Sequence, residues 1–431
     1  MQELIIFVGG LLLLMTIGLP VVVAIGITSF IALAVTGSGG LPTELLSLRM
    51  MQTLNNFTLL AIPLFILAAN IMNTGSTTTR IFDFATALVG FTKGGLGHAN
   101  VVASSIFATM SGTAVADAAG LGSIEIKAMR ERGYDPGYSA GITAASSVIG
   151  PILPPSIALV VYGWLANVSI GALFMAGVLP GVLMALLLMG MTVILGAGNH
   201  VKMPPPTPFD GKEVLRTGRR AVLPLMMPAI IVGGIWSGFF TPTEAGAIAS
   251  IYAIVLGTLI YRDLNWLSLF QAFRRTLMFS AAILLIIAVS SFYGWILVRI
   301  GIPQALAGQV ASVDIPTIML LLVFALFFLL VGCFLSVIES ILIFTPIVIP
   351  SALAAGLDPL HFGIVMVVTL SVGVITPPFG TVLFLMVGIT RLRYSQIVLA
   401  ILPFLIPILL TILLLILVPP LVTWLPRIMG Y

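Results

Sequence analysis

The sequence has 431 residues, of which 60% are hydrophobic and only 7% are charged. Soluble domains carry about 25% charged residues, so this composition excludes a soluble globular protein and indicates a polytopic, helical membrane protein with about ten spans plus re-entrant pieces. The net charge of +4 comes from loop lysines and arginines without interleaved aromatics, which argues against nucleic-acid binding. The single cysteine, Cys333, excludes a disulfide framework within the chain and reads as a small buried hydrophobe.

Apolar runs and turn signals divide the first half, residues 1–195, into helices. Gly18 and Pro20 interrupt the long run 4–35, so two helices or one kinked helix are expected. Residues 99–126 are rich in small and hydroxyl side chains around a central Ser111-Gly112-Thr113 turn signal, which predicts a helical hairpin that enters the membrane and returns. The other predicted elements are a span at about 57–72, an amphipathic interfacial piece at 81–88, a charged loop at 127–135, a broken helix at 137–167 and a plain span at 170–195.

A polar stretch separates the two halves. Residues 196–220 contain three consecutive prolines and five Lys or Arg residues, which predicts a cytoplasmic linker. In the second half, 221–431, a second hairpin is expected at about 315–354, with its centre near Ser336 to Ser340. The remaining predicted elements are spans at 221–240, 243–261 and 277–298, a basic loop before the third of these, an amphipathic segment at 301–313, a broken helix at 360–390 and a final span at 397–424.

Two proline motifs interrupt apolar runs at equivalent places in the halves. Gly150-Pro-Ile-Leu-Pro-Pro-Ser156 corresponds to Gly373-Val-Ile-Thr-Pro-Pro-Phe-Gly380, 223 positions later. A proline inside a helix lacks the N–H that would bond the carbonyl four residues earlier, and a freed carbonyl in hydrocarbon must face a cavity or a ligand. Broken helices at matching positions point to the binding site of a secondary transporter. The plainer alternative is that the proline pairs only kink the helices.

Loop charge predicts that the two repeats are inverted. Lys127, Arg130 and Arg132 precede the first broken helix, whereas Arg391 and Arg393 follow the second. By the positive-inside rule, the first broken helix runs outwards from the cytoplasm and the second runs inwards. The predicted fold is therefore an all-α polytopic membrane protein with two inverted-topology repeats, each with a re-entrant hairpin and a broken helix. The alternative is two unrelated helical bundles with ordinary charge scatter.

Each predicted hairpin carries a carboxylate, and charged side chains inside membrane segments mark functional sites. A hard cation such as Na⁺ prefers carboxylate, hydroxyl and carbonyl oxygens, so a Na⁺ site is predicted in each half. The candidate ligands are Ser111, Thr113, Asp117 and the Gly150 carbonyl in the first half, and Ser336, Glu339, Thr376 and the Gly373 carbonyl in the second. The alternative for each carboxylate is a helix-end group in water.

The half-helices that begin after the proline pairs present positive dipole ends, which suit an anionic group of a substrate. The candidate substrate-binding residues are Pro155, Ser156, Pro378, Gly380 and Thr381. The sequence contains no Walker motif, so an ion gradient is the expected energy source, and no organic cofactor or catalytic residue is predicted. Outside these sites, Glu244 is expected to be a first-turn helix carboxylate, and a solvated role is expected for His98, His200 and His361.

Ser-Gly-Thr-Ala-Val-Ala-Asp117 and the two proline motifs together resemble the large membrane subunit of tripartite ATP-independent periplasmic (TRAP) transporters, over essentially the whole chain. The resemblance implies a multi-pass protein of the bacterial inner membrane, a Na⁺-driven elevator transporter of the ion-transporter superfamily. It further implies a small four-helix membrane subunit, expected as a separate chain, and a periplasmic substrate-binding protein. The implied substrates are organic acids, C4-dicarboxylates and sialic acid among them.

The resemblance also assigns residues. Ser111, Asp117 and Gly150 match the family's first Na⁺ site, and the second Pro-Pro motif matches the second site. Three other functions remain open from the sequence. They are a stand-alone Na⁺/dicarboxylate symporter of the same superfamily, an intramembrane acid protease built on Asp117 and Glu339, and a passive channel. The protease is the remotest, because the sequence lacks the Gly-x-Gly-Asp signature.

Overall fold

The computed structural model describes residues 7, 9–35, 44–198, 201–206, 208–312 and 315–431. The regular structure of these residues is helical throughout, and seven helices among them are long and apolar enough to cross a membrane. The predicted all-α polytopic fold class is confirmed. Fewer long spans are present than the roughly ten for which the chain has room at ~20 residues each, because five further apolar helices have only 10–17 residues. Four of these five are arms of a hairpin or halves of a broken helix.

The helices of the first half begin at capping residues or end at glycines in several places. The run 4–35 is interrupted, with its described part forming two helices separated by Ile17 to Pro20. The α-helices are α1 Gly10–Thr16, α2 Val21–Val35, α3 Glu44–Leu54, α4 Ala61–Thr74, α5 Thr77–Val89, α6 Gly95–Ser111, α7 Ala114–Ala119, α8 Leu121–Glu131, α9 Pro136–Ser147, α10 Ile157–Ala166 and α11 Ile170–Ala197.

The second half repeats the order of a hairpin followed by a broken helix. Its hairpin turns between Gly332 and Val337, slightly earlier than the predicted centre near Ser336 to Ser340. The α-helices are α12 Gly211–Trp236, α13 Pro242–Val255, α14 Trp266–Ile300, α15 Ile302–Ser312, α16 Thr317–Gly332, α17 Val337–Ala354, α18 Pro359–Gly373, α19 Thr381–Thr390, α20 Tyr394–Leu417 and α21 Pro420–Ile428.

Several predicted boundaries are wrong. The helix α12 begins inside the predicted linker 196–220, because Asp210 caps it by accepting the Lys212 N–H at 2.9 Å. In the same way Asn265 accepts the Ser268 N–H at 2.8 Å, so α14 begins before the predicted span 277–298 and contains much of the basic loop. The N-terminal parts of both helices contain charged and amide side chains, such as Lys212 and Arg216 on α12 and Gln271 and Arg274 on α14, so hydropathy does not detect them. The final span is two helices, since Pro419 and Pro420 follow the end of α20.

Matched caps fix both broken helices. Asp135 accepts the Tyr138 N–H at 2.8 Å and Asp358 accepts the Leu360 N–H at 2.9 Å, and each aspartate is followed by a proline at the first helical position. Aspartate at the N-cap and proline at N1 both favour a helix start. Each broken helix thus begins at an Asp-Pro pair at the same offset that relates the two proline motifs.

The helices α4, α13 and α14 form a scaffold beside the hairpins and broken helices. The Ser250 hydroxyl on α13 donates to the Leu64 carbonyl on α4 at 2.7 Å. Asn70 Nδ2 on α4 donates to Thr276 Oγ1 on α14 at 2.9 Å. These bonds tie three spans together inside the membrane, where a polar group needs a protein partner.

The structure tests the isolated polar residues directly. His98 and His361 are only 3% and 4% exposed, so the expectation that they are solvated is wrong. His361 is buried because α18 packs on α20, where the His361 Nε2 atom lies 2.8 Å from the Leu415 carbonyl. His200 lies outside the described residues. The expectation for Cys333, which is buried, and the first-turn position of Glu244 are confirmed.

Candidate functional site

The tip of the first hairpin packs directly against the first proline motif. Gly112 has a φ of +63° and ends α6, and a Cβ atom there would lie 2.9 Å from the Pro155 carbonyl oxygen. A Cβ atom on Gly150 would lie 2.9 Å from the carbonyl oxygen of Thr113. Both positions therefore need glycine for close approach, and the hairpin tip and the break in the helix form one unit.

The second half builds the same contact from different residues. A side chain at Gly373 would overlap the backbone of Gly332, the last residue of α16, and one at Gly332 would lie 2.7 Å from the Leu370 carbonyl oxygen. Phe334 in the turn packs on Phe379 of the proline motif with ring centroids 5.4 Å apart. The second hairpin is thus also joined to its own broken helix.

Both hairpin tips line one cavity of about 220 Å³. The first hairpin contributes Thr113 and the second contributes Ser336 and Glu339, while Phe279 and Ile283 on α14 form the scaffold wall. No lysine or arginine of the described residues lines this cavity. Any positive charge at this cavity is therefore the partial charge of backbone N–H groups.

Three helices of ten or more residues begin at this cavity. Ala158 is the second residue of α10, Val337 the first of α17 and Thr381 the first of α19, and all three line it. The N–H groups of a first helical turn have no intrahelical acceptor and carry partial positive charge. A carboxylate in this cavity would be stabilised by three converging helix N-termini.

Oxygen atoms of the first candidate cation site are buried without protein partners. Asp117 is 1% exposed and Ser111 is 4% exposed. Asp117 Oδ1 and Ser111 Oγ form no hydrogen bond. The Thr113 side chain instead caps α7 by accepting the Ala116 N–H at 3.2 Å. Orphaned oxygens of these types fit the ligand preference of Na⁺.

The second candidate set is largely engaged within the chain. Glu339 Oε2 accepts the Ser336 N–H at 3.0 Å and Ser336 Oγ accepts the Glu339 N–H at 3.4 Å, which forms a capping box on α17. Thr376 Oγ1 donates to the Val372 carbonyl at 2.8 Å. The Gly373 carbonyl accepts the Thr376 N–H at 3.0 Å, so the bond lost at Pro377 is replaced by a shorter turn. Each carbonyl or carboxylate oxygen keeps a second lone pair for a cation.

The candidate substrate residues divide into two groups. Thr381 lines the cavity. Ser156 is fully buried as the N-cap of α10, accepting the Leu159 N–H at 3.2 Å and donating to the Pro151 carbonyl. Pro155 contacts the hairpin tip at Gly112, and the Pro378 carbonyl accepts the Tyr394 hydroxyl at 2.7 Å. Gly380 is packed against the backbone of Val374 and Thr376, so it shapes the break.

Sequence reasoning missed a buried polar network behind the hairpin. Glu125 and Asn100 are both 0% exposed. Asn100 Nδ2 donates to Glu125 Oε2 and to Thr143 Oγ1, each at 2.7 Å, and Asn100 Oδ1 accepts the Ser146 hydroxyl at 2.7 Å. The sequence feature that could have predicted this burial is the isoleucine on either side of Glu125. A carboxylate between two apolar residues in a membrane segment is rarely solvated.

The network leads back to the candidate cation ligand. Ser146 Oγ lies 3.1 Å from Ser104 Oγ, and Ser104 in turn interacts with Asp117. Asp117 lies on α7 and Glu125 on α8, and both are buried. A chain of amide and hydroxyl groups therefore connects two buried carboxyl groups across α6, α9 and the return arm of the hairpin.

Comparison with known proteins gives independent evidence for the family of this chain. Residues 8–421 match the family model described as "Tripartite ATP-independent periplasmic transporter, DctM component". The chain is 38% identical over 424 residues to the sialic acid TRAP transporter large permease protein SiaM of Vibrio cholerae, covering 98% of both chains. It is 36% identical over 385 residues to the C4-dicarboxylate TRAP transporter large permease protein DctM of Pseudomonas aeruginosa, covering 89% of this chain and 90% of the relative.

A solved structure shares the fold at low sequence identity. The YdaH transporter of Alcanivorax borkumensis superimposes with a TM-score of 0.65 at 16% identity, over 88% of each chain. At this identity the likeness concerns the arrangement of helices alone.

Proposed function

We propose that this chain, which belongs to the family of DctM components of tripartite ATP-independent periplasmic transporters, imports an organic acid across the bacterial inner membrane. The substrate class is a carboxylate of the sialic-acid or C4-dicarboxylate type, after the named substrates of the relatives. A periplasmic binding protein delivers the acid, and a small four-helix membrane subunit completes the membrane unit.

The observation that carries this proposal is the convergence of three helix N-termini on a cavity shared by both hairpins. Such a cavity attracts a carboxylate without a buried arginine or lysine. Hydroxyl groups of Thr113 and Thr381 are available there to orient it. Most of the remaining lining is apolar, which suits the carbon skeleton of an organic acid.

Na⁺ coupling is supported by the unsatisfied oxygens. Asp117 Oδ1 and Ser111 Oγ are buried without a partner, and Glu339 places a carboxylate beside the anion cavity. Buried charge needs compensation, and a bound Na⁺ at each hairpin would supply it. Binding of the cations and the acid would then be mutually favourable, because each ion neutralises the other.

Transport would proceed by an elevator motion. The hairpins and broken helices contact each other through glycine backbones, so they can move as one body. Loop charge orients the two halves oppositely in the membrane, as two inverted repeats. The body would carry the acid and Na⁺ past the scaffold helices α4, α13 and α14.

The test is uptake by proteoliposomes that contain the chain and its small subunit. Labelled N-acetylneuraminate and succinate are offered with the binding protein under an inward Na⁺ gradient. Uptake of one acid that requires both the gradient and the binding protein supports the proposal. Uptake without the binding protein supports the stand-alone symporter instead. Transport of neither acid, with correctly assembled protein, would contradict the substrate class.

A further inference from the structure

A second cavity adjoins the first on the side of the basic loops. It lies between the tip of the first hairpin and the scaffold helices α4 and α14, and has a volume of about 410 Å³. The two cavities share three lining residues, Thr113, Val115 and Phe279, so they are adjacent. Phe279 is 54% exposed.

The second cavity contains an arginine without a protein counter-ion. Arg275 lines it from α14, which is one of the seven candidate spans. The ion pairs in the described part of the chain are Lys127 with Glu131 and Arg216 with Glu213, so no carboxylate there lies within 4.0 Å of Arg275. Arg275 lies near the start of α14 and is exposed, so its guanidinium is accessible from this cavity.

Other polar residues also line this cavity. Asn73 is an amide that can donate through its Nδ2 group, and Ser111 carries a hydroxyl that has no hydrogen-bond partner. Asn70 lines the cavity and is held in place by its bond to Thr276. The lining thus includes one guanidinium, two amides and two hydroxyl groups, in contrast to the first cavity, which has no basic residue.

The position along α14 gives the direction. The helix begins at Trp266, next to the basic residue Arg262, so its start lies on the cytoplasmic side by the positive-inside rule. Arg275 therefore lies closer to the cytoplasm than Phe279 and Ile283, which line the first cavity. A substrate that leaves the first cavity towards the cytoplasm would meet Arg275 next.

We propose that Arg275, with Asn70 and Asn73, forms an exit subsite that binds the substrate carboxylate on the cytoplasmic side of Phe279. This inference rests on the proposed function and adds a second carboxylate position to it. A guanidinium binds a carboxylate through two parallel N–H···O bonds. On its way to the cytoplasm, the acid would first contact the helix N-termini of the first cavity, which carry partial positive charges. It would then contact the Arg275 guanidinium, which carries a full positive charge.

Arg274 supplies a matched control. It is the neighbouring arginine on the same helix and is exposed, as Arg275 is, but it does not line the second cavity. One residue along an α-helix turns the side chain by about 100°, which separates the two guanidinium groups. Loss of a general positive charge at this membrane surface would affect both variants equally, whereas loss of the subsite affects only Arg275.

The first experiment measures efflux of N-acetylneuraminate and succinate from proteoliposomes that contain the chain and its small subunit. Arg275→Gln should raise the half-saturating concentration on the cytoplasmic side about tenfold, since the charge-assisted hydrogen bonds to the carboxylate are lost. Arg275→Lys should recover most of this loss, and Arg274→Gln should leave the value within about twofold of the unmodified chain. Equal values for Arg275→Gln and Arg274→Gln would overturn the inference.

A second experiment detects occupancy directly. In a Cys333→Ala background, Arg275→Cys and Arg274→Cys are each labelled with a cationic methanethiosulfonate. The transported acid should slow labelling at position 275 several-fold and leave position 274 unchanged, and the attached cation should restore efflux at 275. Identical labelling rates with and without the acid would contradict the exit subsite while uptake by the unmodified chain upholds the proposed function. If that chain transports neither acid, the proposed function itself fails.

Discussion

Asn100 Nδ2 donates a hydrogen bond to Glu125 Oε2 over 2.7 Å, and neither residue is exposed. This bond joins the entering arm of the first hairpin to its returning arm. Asn100 also binds Thr143 and Ser146 on the first broken helix, so one side chain holds three helices together. The polar groups that stabilise this unit thus lie next to those that are proposed to bind Na⁺.

Replacing Asn100 with alanine should destabilise the protein. The change removes the one hydrogen-bond partner of the Glu125 carboxyl group and leaves a buried polar group unsatisfied, at a cost of about 1–3 kcal/mol. Thermal unfolding in detergent should show a lower midpoint. Asn55→Ala, at an exposed position, is the control and should leave the midpoint unchanged. Equal midpoints for the two variants would show that the network contributes little to stability.

Replacing Gly373 with alanine should displace the second hairpin. The new methyl group would overlap the backbone of Gly332, and overpacking of this kind costs about 1–3 kcal/mol. Transport should fall strongly together with stability. Gly388→Ala is the matched control, because it lies in the next half-helix with nothing within 4 Å of the added atom. Full transport by the Gly373 variant would mean that the hairpin and the break are not packed as described.

Replacing Ser111 with alanine should weaken Na⁺ binding without loss of stability. The Ser111 hydroxyl is buried but forms no hydrogen bond, so its removal costs the fold nothing. The Na⁺ concentration that gives half-maximal uptake should rise about tenfold, which corresponds to about 1.4 kcal/mol. Ser105→Ala, which removes a hydroxyl bonded to the Val101 carbonyl, should leave Na⁺ dependence unchanged. An unaltered Na⁺ curve for the Ser111 variant would remove this residue from the site.

Replacing Glu339 with glutamine separates a capping role from a cation role. Glu339 and Glu244 both close a capping box at the start of a helix, but only Glu339 lines the cavity shared by the hairpins. Glu339→Gln and Glu244→Gln should each lower stability only slightly, because glutamine can still accept the N–H group of the capping box. Only Glu339→Gln should raise the Na⁺ requirement of uptake by about tenfold. The same Na⁺ response in both variants would indicate that Glu339 is a cap alone.

The membrane class, the two breaks and the charge asymmetry follow from properties that each residue carries along the chain. A proline lacks an N–H in any fold, and a long apolar run avoids water whatever its neighbours are. Hence the interruptions after Ser147 and Gly373 could be placed from Pro154 and Pro377. The helix starts at Gly211 and Trp266 could not be placed in this way. A hydropathy pattern detects only the apolar part of a helix, whereas the backbone hydrogen bonds continue into its polar part.

The sequence by itself determined which residue types were available for a cation or an acid, and in which half. Only the tertiary structure decided which of them meet. One cavity is lined by Thr113, Ser336, Glu339 and Thr381. The hydroxyl groups of Ser156 and Thr376 instead donate hydrogen bonds to nearby backbone carbonyls. Glu125 is buried by surrounding helices. Arg275 lines a cavity together with the tip of the first hairpin, which is distant from it in sequence. The burial and the direction of a side chain depend on which helices pack around it. The linear pattern of the sequence does not contain that information.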